Sequence, residues 1–452
     1  MLQKNRGQWS GQLGFVLAAS GAAIGLGNIW KFPYMAGANG GGAFVLVYLI
    51  CVLLIGLPLL AGEIMVGKRA RKNPVDAIIH CAQESGKNKS WAAFGWWGIA
   101  GLFLTLSFYS VVAGWSIYYF FFTISGHFNH ADATQVIESW NSFIGAPGKL
   151  ILFNAIFMFM TLWVVAKGVQ KGLERGSRIM MPLLFLTLIA LVFYSAIAAD
   201  FSKGFHFLFD FDFHKITGSV VINAMGHAFF TLALGVGAMS IYGSYMPQKI
   251  SIAKAISIAV FLDVLVALLA GLAIFPLIFT YNLHTNGGPG MMFISLPMAF
   301  AQMPFGQLFG SLFFLLLFFA AWTSSINMAE PIISTLIEKT KLTRSRACWI
   351  TGVVTWSLGL FSVFSFNIWS QPIHIPGLGG FTPFGLITDT VTNVILPIGG
   401  LFYAIFTGWV MKKKYTRETL SFKSTKLYII WRFLTRYVAP IGVLVVFIAA
   451  LL

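Results

Sequence analysis

Apolar residues are laid along this chain in long blocks, not at the spacing of an amphipathic helix. The blocks fall near 12–35, 42–66, 93–124, 148–167, 178–199, 218–246, 254–280, 305–337, 346–366, 384–411 and 430–451. Each is long enough for the roughly 20 residues that cross a bilayer as a helix, so the pattern predicts an all-α polytopic membrane protein with eleven transmembrane helices. The third and eighth blocks are the longest and should tilt or protrude. Polar residues gather between the blocks. Segments 126–147, 200–217, 281–304 and 367–383 are short and rich in aromatics, Gly, Pro and His, too short for a folded ectodomain. Within them 290–301 reads as a short helix over the outer mouth. No separate soluble domain is expected.

Two blocks carry a break. In the first, Gly21, Gly25 and Gly27 follow Ser20 closely and lead into the polar Asn28. In the sixth, Leu234-Gly235-Val236-Gly237 repeats the form of Ile24-Gly25-Leu26-Gly27, apolar-Gly-apolar-Gly. A helix-interior glycine costs about 1 kcal/mol relative to alanine. Close helix packing also selects small residues, which is the alternative explanation of either cluster alone. Unwound backbone at membrane depth is tolerated only where protein buries it or where it lines a cavity. Matched breaks in two halves of a chain point to a secondary transporter with an internal repeat, the broken helices forming the site.

Composition agrees: 10% of residues are charged and mean hydropathy is +0.81, against about 25% charged in soluble domains. The net charge of +16 changes meaning once located. All but Lys31, Lys149, Lys203 and Lys215 of the 30 lysines and arginines precede the first block or lie in alternate loops on one side. The positive-inside rule makes that side cytoplasmic, placing the N-terminus inside and, after eleven spans, the C-terminus outside. The basic excess is thus a topology signal with membrane lipid headgroups as neighbours, not a nucleic-acid surface. Cys51, Cys81 and Cys348 suggest neither a disulfide framework nor a metal site. The first block is too long for a cleavable signal and runs into Lys31.

Charges inside spans are functional candidates, and the short list is Lys31, Glu63, Asp263, Glu330 and Asp389. Asp263 stands in the apolar run Val260–Val266. A lone carboxylate there would cost several kcal/mol, so it is either protonated or paired with a cation, which could be an ion held by unwound carbonyls. The run Thr323-Ser324-Ser325-Ile326-Asn327 interrupts the eighth block. Hard oxygen ligands suit small hard cations, here Na⁺. Alternatively these hydroxyls bond back to their own helix. Nothing resembles a nucleophile–base pair, so an enzyme is not expected.

Gly21-Ala22-Ala23-Ile24-Gly25-Leu26-Gly27-Asn28-Ile29-Trp30-Lys31-Phe32-Pro33, the following Asn39-Gly40-Gly41-Gly42-Ala43-Phe44, Phe229-Phe230-Thr231-Leu232 and Thr323-Ser324-Ser325 together resemble the signature of the neurotransmitter:sodium symporter family. The resemblance runs from Arg6 to about Leu452, in a bacterial eleven-span form. It implies one transporter domain over 1–452 built as a five-plus-five inverted repeat with broken helices 1 and 6: repeat one about 8–200, repeat two about 216–411, and an extra helix about 430–451. It implies Na⁺-coupled import of an amino acid across a bacterial inner membrane, with no obligatory protein partner evident. Two Na⁺ sites are implied, one from the Ala23 carbonyl, Asn28, Thr231 and Asp263, the other from the Gly21, Ile24 and Ala320 carbonyls with Thr323 and Ser324. Substrate contacts map to Ala22, Ala23, Gly25, Leu26, Gly27, Thr105, Tyr109, Phe230, Thr231, Ala233, Val236, Ser324 and Met328. Outer-gate positions map to Lys31 and Asp389, inner-gate positions to Arg6, Trp9 and Glu338. Glu63 resembles a carboxylate that supports the unwound first helix.

The physics of these positions agrees. A substrate carboxylate is favoured at a half-helix N-terminus, Tyr109 can hydrogen-bond it, and Phe230 can act as an aromatic lid. Two departures from the family pattern matter. Asp263 stands where many members have Asn, and Ala267 stands where animal members have a chloride-binding Ser, so transport is expected to be chloride-independent. Ala22, Ala233 and Val236 are small, and no side chain there can pair a charged substrate, so Trp, Tyr, Phe, Leu or Ile is expected. Glu330 and His227 are expected as satisfied core residues, with proton transfer the alternative. A Na⁺-dependent amino-acid sensor and a carrier of another small zwitterion on the same fold are the rival readings.

Overall fold

The computed structural model describes residues 7–283, 290–375, 379–422 and 424–451. Among them nine helices are long and apolar enough to cross a membrane: Gly42–Ala70, Lys89–Ile124, Pro147–Ala166, Val169–Ala198, Ile252–Thr280, Gly306–Thr340, Arg344–Phe364, Pro383–Val410 and Thr425–Ala449. A further span is the pair Gln12–Ala23 and Gly27–Ala38, bent by 49° at its break. The last is Gly218–Thr231 followed by Ala238–Ser244, interrupted at the second glycine pair. These eleven match the apolar blocks, with ends shifted by a few residues. The architecture is the all-α five-plus-five class expected, with the first and sixth spans broken.

The spans are apolar on nearly every side, as helices buried in protein or lipid must be, so their ends are marked by caps. Asn73 caps Pro74–Glu84 by accepting from Asp76 N–H at 3.0 Å, with Pro74 at the first helical position, where its missing N–H is harmless. Thr217 starts the sixth span by accepting from Val220 N–H at 3.3 Å. Thr343 starts the ninth. The sequence pattern missed four helices in the connections, Pro74–Glu84, Ala133–Ile144, Phe201–Phe209 and Lys413–Leu420. It also missed a small antiparallel hairpin that pairs Ile373 with Phe381. The short helix expected over 290–301 is present as Met291–Gln302.

Packing brings the two breaks together. The first span lies between Ile252–Thr280 and Gly306–Thr340, and the latter packs along Lys89–Ile124. Gly42–Ala70 crosses Ala238–Ser244 with the backbones touching: a Cβ on Gly67 would lie 1.7 Å from the Ser240 carbonyl oxygen. That crossing places Glu63 beside the sixth-span break.

Candidate functional site

The first span loses its helix after Ala23, where Ile24 takes an extended conformation (φ −70°, ψ 111°). Its freed carbonyls turn toward the eighth span. Ser324 Oγ lies 3.0 Å from Ile24 O, 3.4 Å from Ala22 O and 3.5 Å from Gly21 O. Thr323 Oγ1 lies 3.0 Å from Ala320 O and 3.5 Å from Ile24 O. Thr323 also bonds back to Phe319 O at 3.1 Å, so this hydroxyl serves its own helix and reaches the break as well. The five oxygen-bearing residues named for one ion site, Gly21, Ile24, Ala320, Thr323 and Ser324, are therefore neighbours. Carbonyl and hydroxyl oxygens without a soft ligand fit a small hard cation.

A second cluster forms around Asp263, fully buried in Ile252–Thr280. Asn28 Nδ2 donates to Asp263 Oδ1 at 2.7 Å and to the Asp263 carbonyl at 3.0 Å. Thr231 Oγ1 donates to Oδ1 at 3.2 Å and Tyr48 OH to Oδ2 at 3.4 Å. Asn28 Oδ1 accepts from Gly25 N–H at 3.0 Å, tying this cluster to the first break. Asp263 brings a carboxyl group, which the other cluster lacks. Among the described residues no group of three or more His, Cys, Asp or Glu could hold a metal ion, so any cation here is held mainly by neutral oxygens and amides.

The sixth-span break is shaped by positive-φ residues: Ala233 at 48°, Gly235 at 91° and Gly237 at 77°. At Gly235 a Cβ would also lie 2.5 Å from Gly400 N, so glycine is required on both counts. Glu63 holds the loop by accepting from Gly235 N–H at 3.2 Å and Met239 N–H at 3.0 Å. This corrects the expectation that it supports the first span; the close crossing at Gly67 delivers it to the sixth. Glu63→Gln keeps the volume but supplies a single carbonyl acceptor. It should destabilise the protein by about 1–3 kcal/mol, the cost of leaving a buried N–H unpaired, measurable as a lowered midpoint of thermal unfolding in detergent.

Between the breaks lies a cavity. All thirteen residues named as substrate contacts line it: Ala22, Ala23, Gly25, Leu26, Gly27, Thr105, Tyr109, Phe230, Thr231, Ala233, Val236, Ser324 and Met328. Leu102, Asn327 and Leu396 line it too and were not foreseen as contacts. Two are leucines among many, with no local signal to set them apart. Asn327 could have been found from its place in the polar run of the eighth span. Tyr109 OH accepts from Leu26 N–H at 3.2 Å, so its own proton can be given to a carboxylate.

Trp9 is 2% exposed. It packs on Tyr242 at 5.1 Å between ring centroids and donates Nε1–H to the Tyr242 carbonyl at 3.0 Å, while its backbone N–H reaches Tyr245 O at 3.1 Å. Ser10 N–H donates to Glu174 at 2.9 Å. Glu338 accepts from Asn73 N–H at 3.1 Å and Nδ2 at 2.8 Å. Arg6 lies outside the described residues. Across the cavity, Lys31 Nζ sits 4.0 Å from the Phe230 ring centroid, and Asp389 is exposed. Of the two residues expected at an outer gate, Lys31 is thus placed on the Phe230 ring and makes no ion pair with Asp389. Glu330 is satisfied as expected, by Tyr245 OH at 2.6 Å and by Arg344. His227 is not: it is buried among Phe32, Phe44 and Tyr48, and neither ring nitrogen has a hydrogen-bond partner.

Two broken helices back to back, oxygen clusters at the breaks and a cavity between them define a secondary transporter. The comparisons agree. The model of the family described as the sodium:neurotransmitter symporter family matches residues 6–144 and 135–452. The chain is 38% identical to YhdH, an uncharacterized sodium-dependent transporter of Bacillus subtilis (strain 168), over 98% of this chain and 97% of that one. It is 34% identical to an uncharacterized sodium-dependent transporter of Haemophilus influenzae over 99% of each. The crystal structure of MhsT in complex with L-phenylalanine is similar with a TM-score of 0.90 at 38% identity, covering 99% of this chain and 100% of that one. The chain belongs to the sodium:neurotransmitter symporter family and is a multi-span, sodium-dependent symporter.

Proposed function

We propose that the protein imports a neutral hydrophobic or aromatic L-amino acid together with two Na⁺ ions, by alternating access and without chloride. The observation that carries this reading is the convergence of thirteen substrate positions on one cavity flanked by two oxygen clusters. In this reading Ala23 O, Asn28, Thr231 and Asp263 hold one Na⁺. Gly21 O, Ile24 O, Ala320 O, Thr323 and Ser324 hold the other. The substrate carboxylate lies against the freed N–H groups where the first span resumes at Gly27, with Tyr109 donating to it. Phe230 covers the cavity on the Lys31 side, and Trp9 with Glu338 closes the opposite side. The side-chain end is lined by Ala22, Ala233 and Val236 and holds no charged group. MhsT, seen with L-phenylalanine, supports the same substrate class.

Asp263 takes the place of a mobile anion, its carboxylate being fixed beside the ion. The repeats run over about 8–200 and 216–411 with an extra helix over about 430–451, in a bacterial inner membrane with the N-terminus cytoplasmic and the C-terminus outside. A zwitterion moving with two Na⁺ carries two net charges, which a potential of 100 mV drives with roughly 4–5 kcal/mol. Thousandfold accumulation needs about 4 kcal/mol, so the stoichiometry suffices.

The test is uptake of radiolabelled tryptophan and leucine into proteoliposomes under an inward Na⁺ gradient. Accumulation should exceed a choline control, persist when gluconate replaces chloride, and resist competition by lysine and glutamate. Loss of uptake in gluconate would overturn the chloride reading, and displacement by lysine would overturn the pocket reading. Na⁺-dependent binding without accumulation would make the protein a sensor.

A further inference from the structure

Five of the side chains lining the cavity carry a nitrogen or oxygen, and four of them have partners within the protein. The Thr105 hydroxyl donates to Gly101 O at 2.7 Å, Tyr109 OH accepts from Leu26 N–H, Thr231 donates to Asp263, and Ser324 lies on Ile24 O. The fifth is Asn327. It is 0% exposed, and neither its Nδ2 nor its Oδ1 has a hydrogen-bond partner. Four residues further along the same helix stands Pro331, which has no N–H to give to the Asn327 carbonyl. Both ends of the side-chain amide of this one residue are left over from tertiary bonding. Buried amides without partners are rare because each forfeits the bonds it makes in water. Leu102, Val236 and Leu396, which line the cavity with it, offer none.

We propose that Asn327 sets specificity within the amino-acid site by pairing with a hydroxyl on the substrate side chain, so that tyrosine is bound in preference to phenylalanine. This rests on the reading of the cavity as an amino-acid site. The chemistry selects a hydroxyl. An amide presents a donor and an acceptor side by side, and a phenol both donates and accepts, so one group satisfies both ends. An indole N–H donates only and leaves Nδ2 unpaired. Phenylalanine and leucine leave both ends unpaired.

The test is Na⁺-dependent binding of tyrosine and phenylalanine to the purified full-length protein, since the two differ by that hydroxyl alone. Tyrosine should bind about tenfold more tightly, the ratio of one net hydrogen bond to a buried polar group. In an Asn327→Leu variant, of similar shape but without polar atoms, the ratio should fall to about one. Na⁺-dependent phenylalanine binding by the variant reports that it is folded. Should the variant fail to fold, the ratio in the unaltered protein decides alone. Equal affinities in the unaltered protein, or a tyrosine preference that survives in the variant, would overturn the proposal while leaving the transporter reading intact. Absence of Na⁺-dependent binding of either amino acid would overturn the aromatic-substrate reading and this proposal with it.

Discussion

An Asp263→Ala variant is expected to lose Na⁺-driven accumulation down to the choline background. Asp263 is fully buried and brings the negative charge to a cluster otherwise made of an amide, a hydroxyl and a phenol. Removing one partner of a buried charge pair costs about 3–5 kcal/mol. At about 1.4 kcal/mol per decade, that is a loss of roughly two to three and a half orders of magnitude in Na⁺ affinity. The fold should survive, because Asn28 Nδ2 keeps its bond to the Asp263 main-chain carbonyl at 3.0 Å. Titrating Na⁺ against substrate binding reads the effect directly. An Asp263→Asn variant keeps the shape and one acceptor for Asn28 while removing the charge and the second acceptor oxygen, to which Tyr48 OH donates. Undiminished Na⁺-driven uptake in the alanine variant would remove Asp263 from the coupling ion site.

Gly25→Ala should abolish substrate binding, by about a hundredfold or more, in a protein that remains folded. An added Cβ would lie 2.4 Å from Ser324 Oγ and 2.9 Å from Tyr109 OH. Both atoms would have to move. The first holds the Ile24 carbonyl at 3.0 Å and the second takes the Leu26 N–H at 3.2 Å, so one methyl group disturbs an ion cluster and the carboxylate end of the cavity together. Overpacking of this size costs about 1–3 kcal/mol in stability, within reach of a thermal unfolding scan. Binding measured beside that scan distinguishes a blocked site from a lost fold. Wild-type affinity in Gly25→Ala would mean that substrate does not approach this break.

The spans were legible because a bilayer demands continuous apolar length, which a sequence displays openly. Both breaks were legible because the same glycine pattern recurs in the two halves of the chain, which close packing alone does not demand. The family motifs then carried the cavity, whose lining includes every residue they named as a substrate contact. What stayed hidden was pairing across distance. The carboxylate of Glu63 was visible as costly, but its partners Gly235 and Met239 are set by a helix crossing that no local pattern records. His227 resembles any core histidine until its neighbours prove to be the rings of Phe32, Phe44 and Tyr48, none of which pairs with its ring nitrogens. Leu102 and Leu396 earn their places at the cavity only through the packing of the third and tenth spans. The connecting helices were missed because their few turns are set by caps such as Asn73, Asp132 and Asp200, not by apolar length.

The helix Ala238–Ser244 joins two features that lie far apart in the cycle proposed here. Its N-terminal end continues directly from Val236 in the cavity wall and is pinned through Met239 to Glu63. Its C-terminal end presents the Tyr242 and Tyr245 carbonyls on which Trp9 rests. A rigid rod of seven residues spans about 10 Å at 1.5 Å per residue. A tilt at the cavity end would therefore carry with it the Tyr242 and Tyr245 carbonyls on which Trp9 rests. The cavity wall and the seat of Trp9 are thus two ends of one short lever.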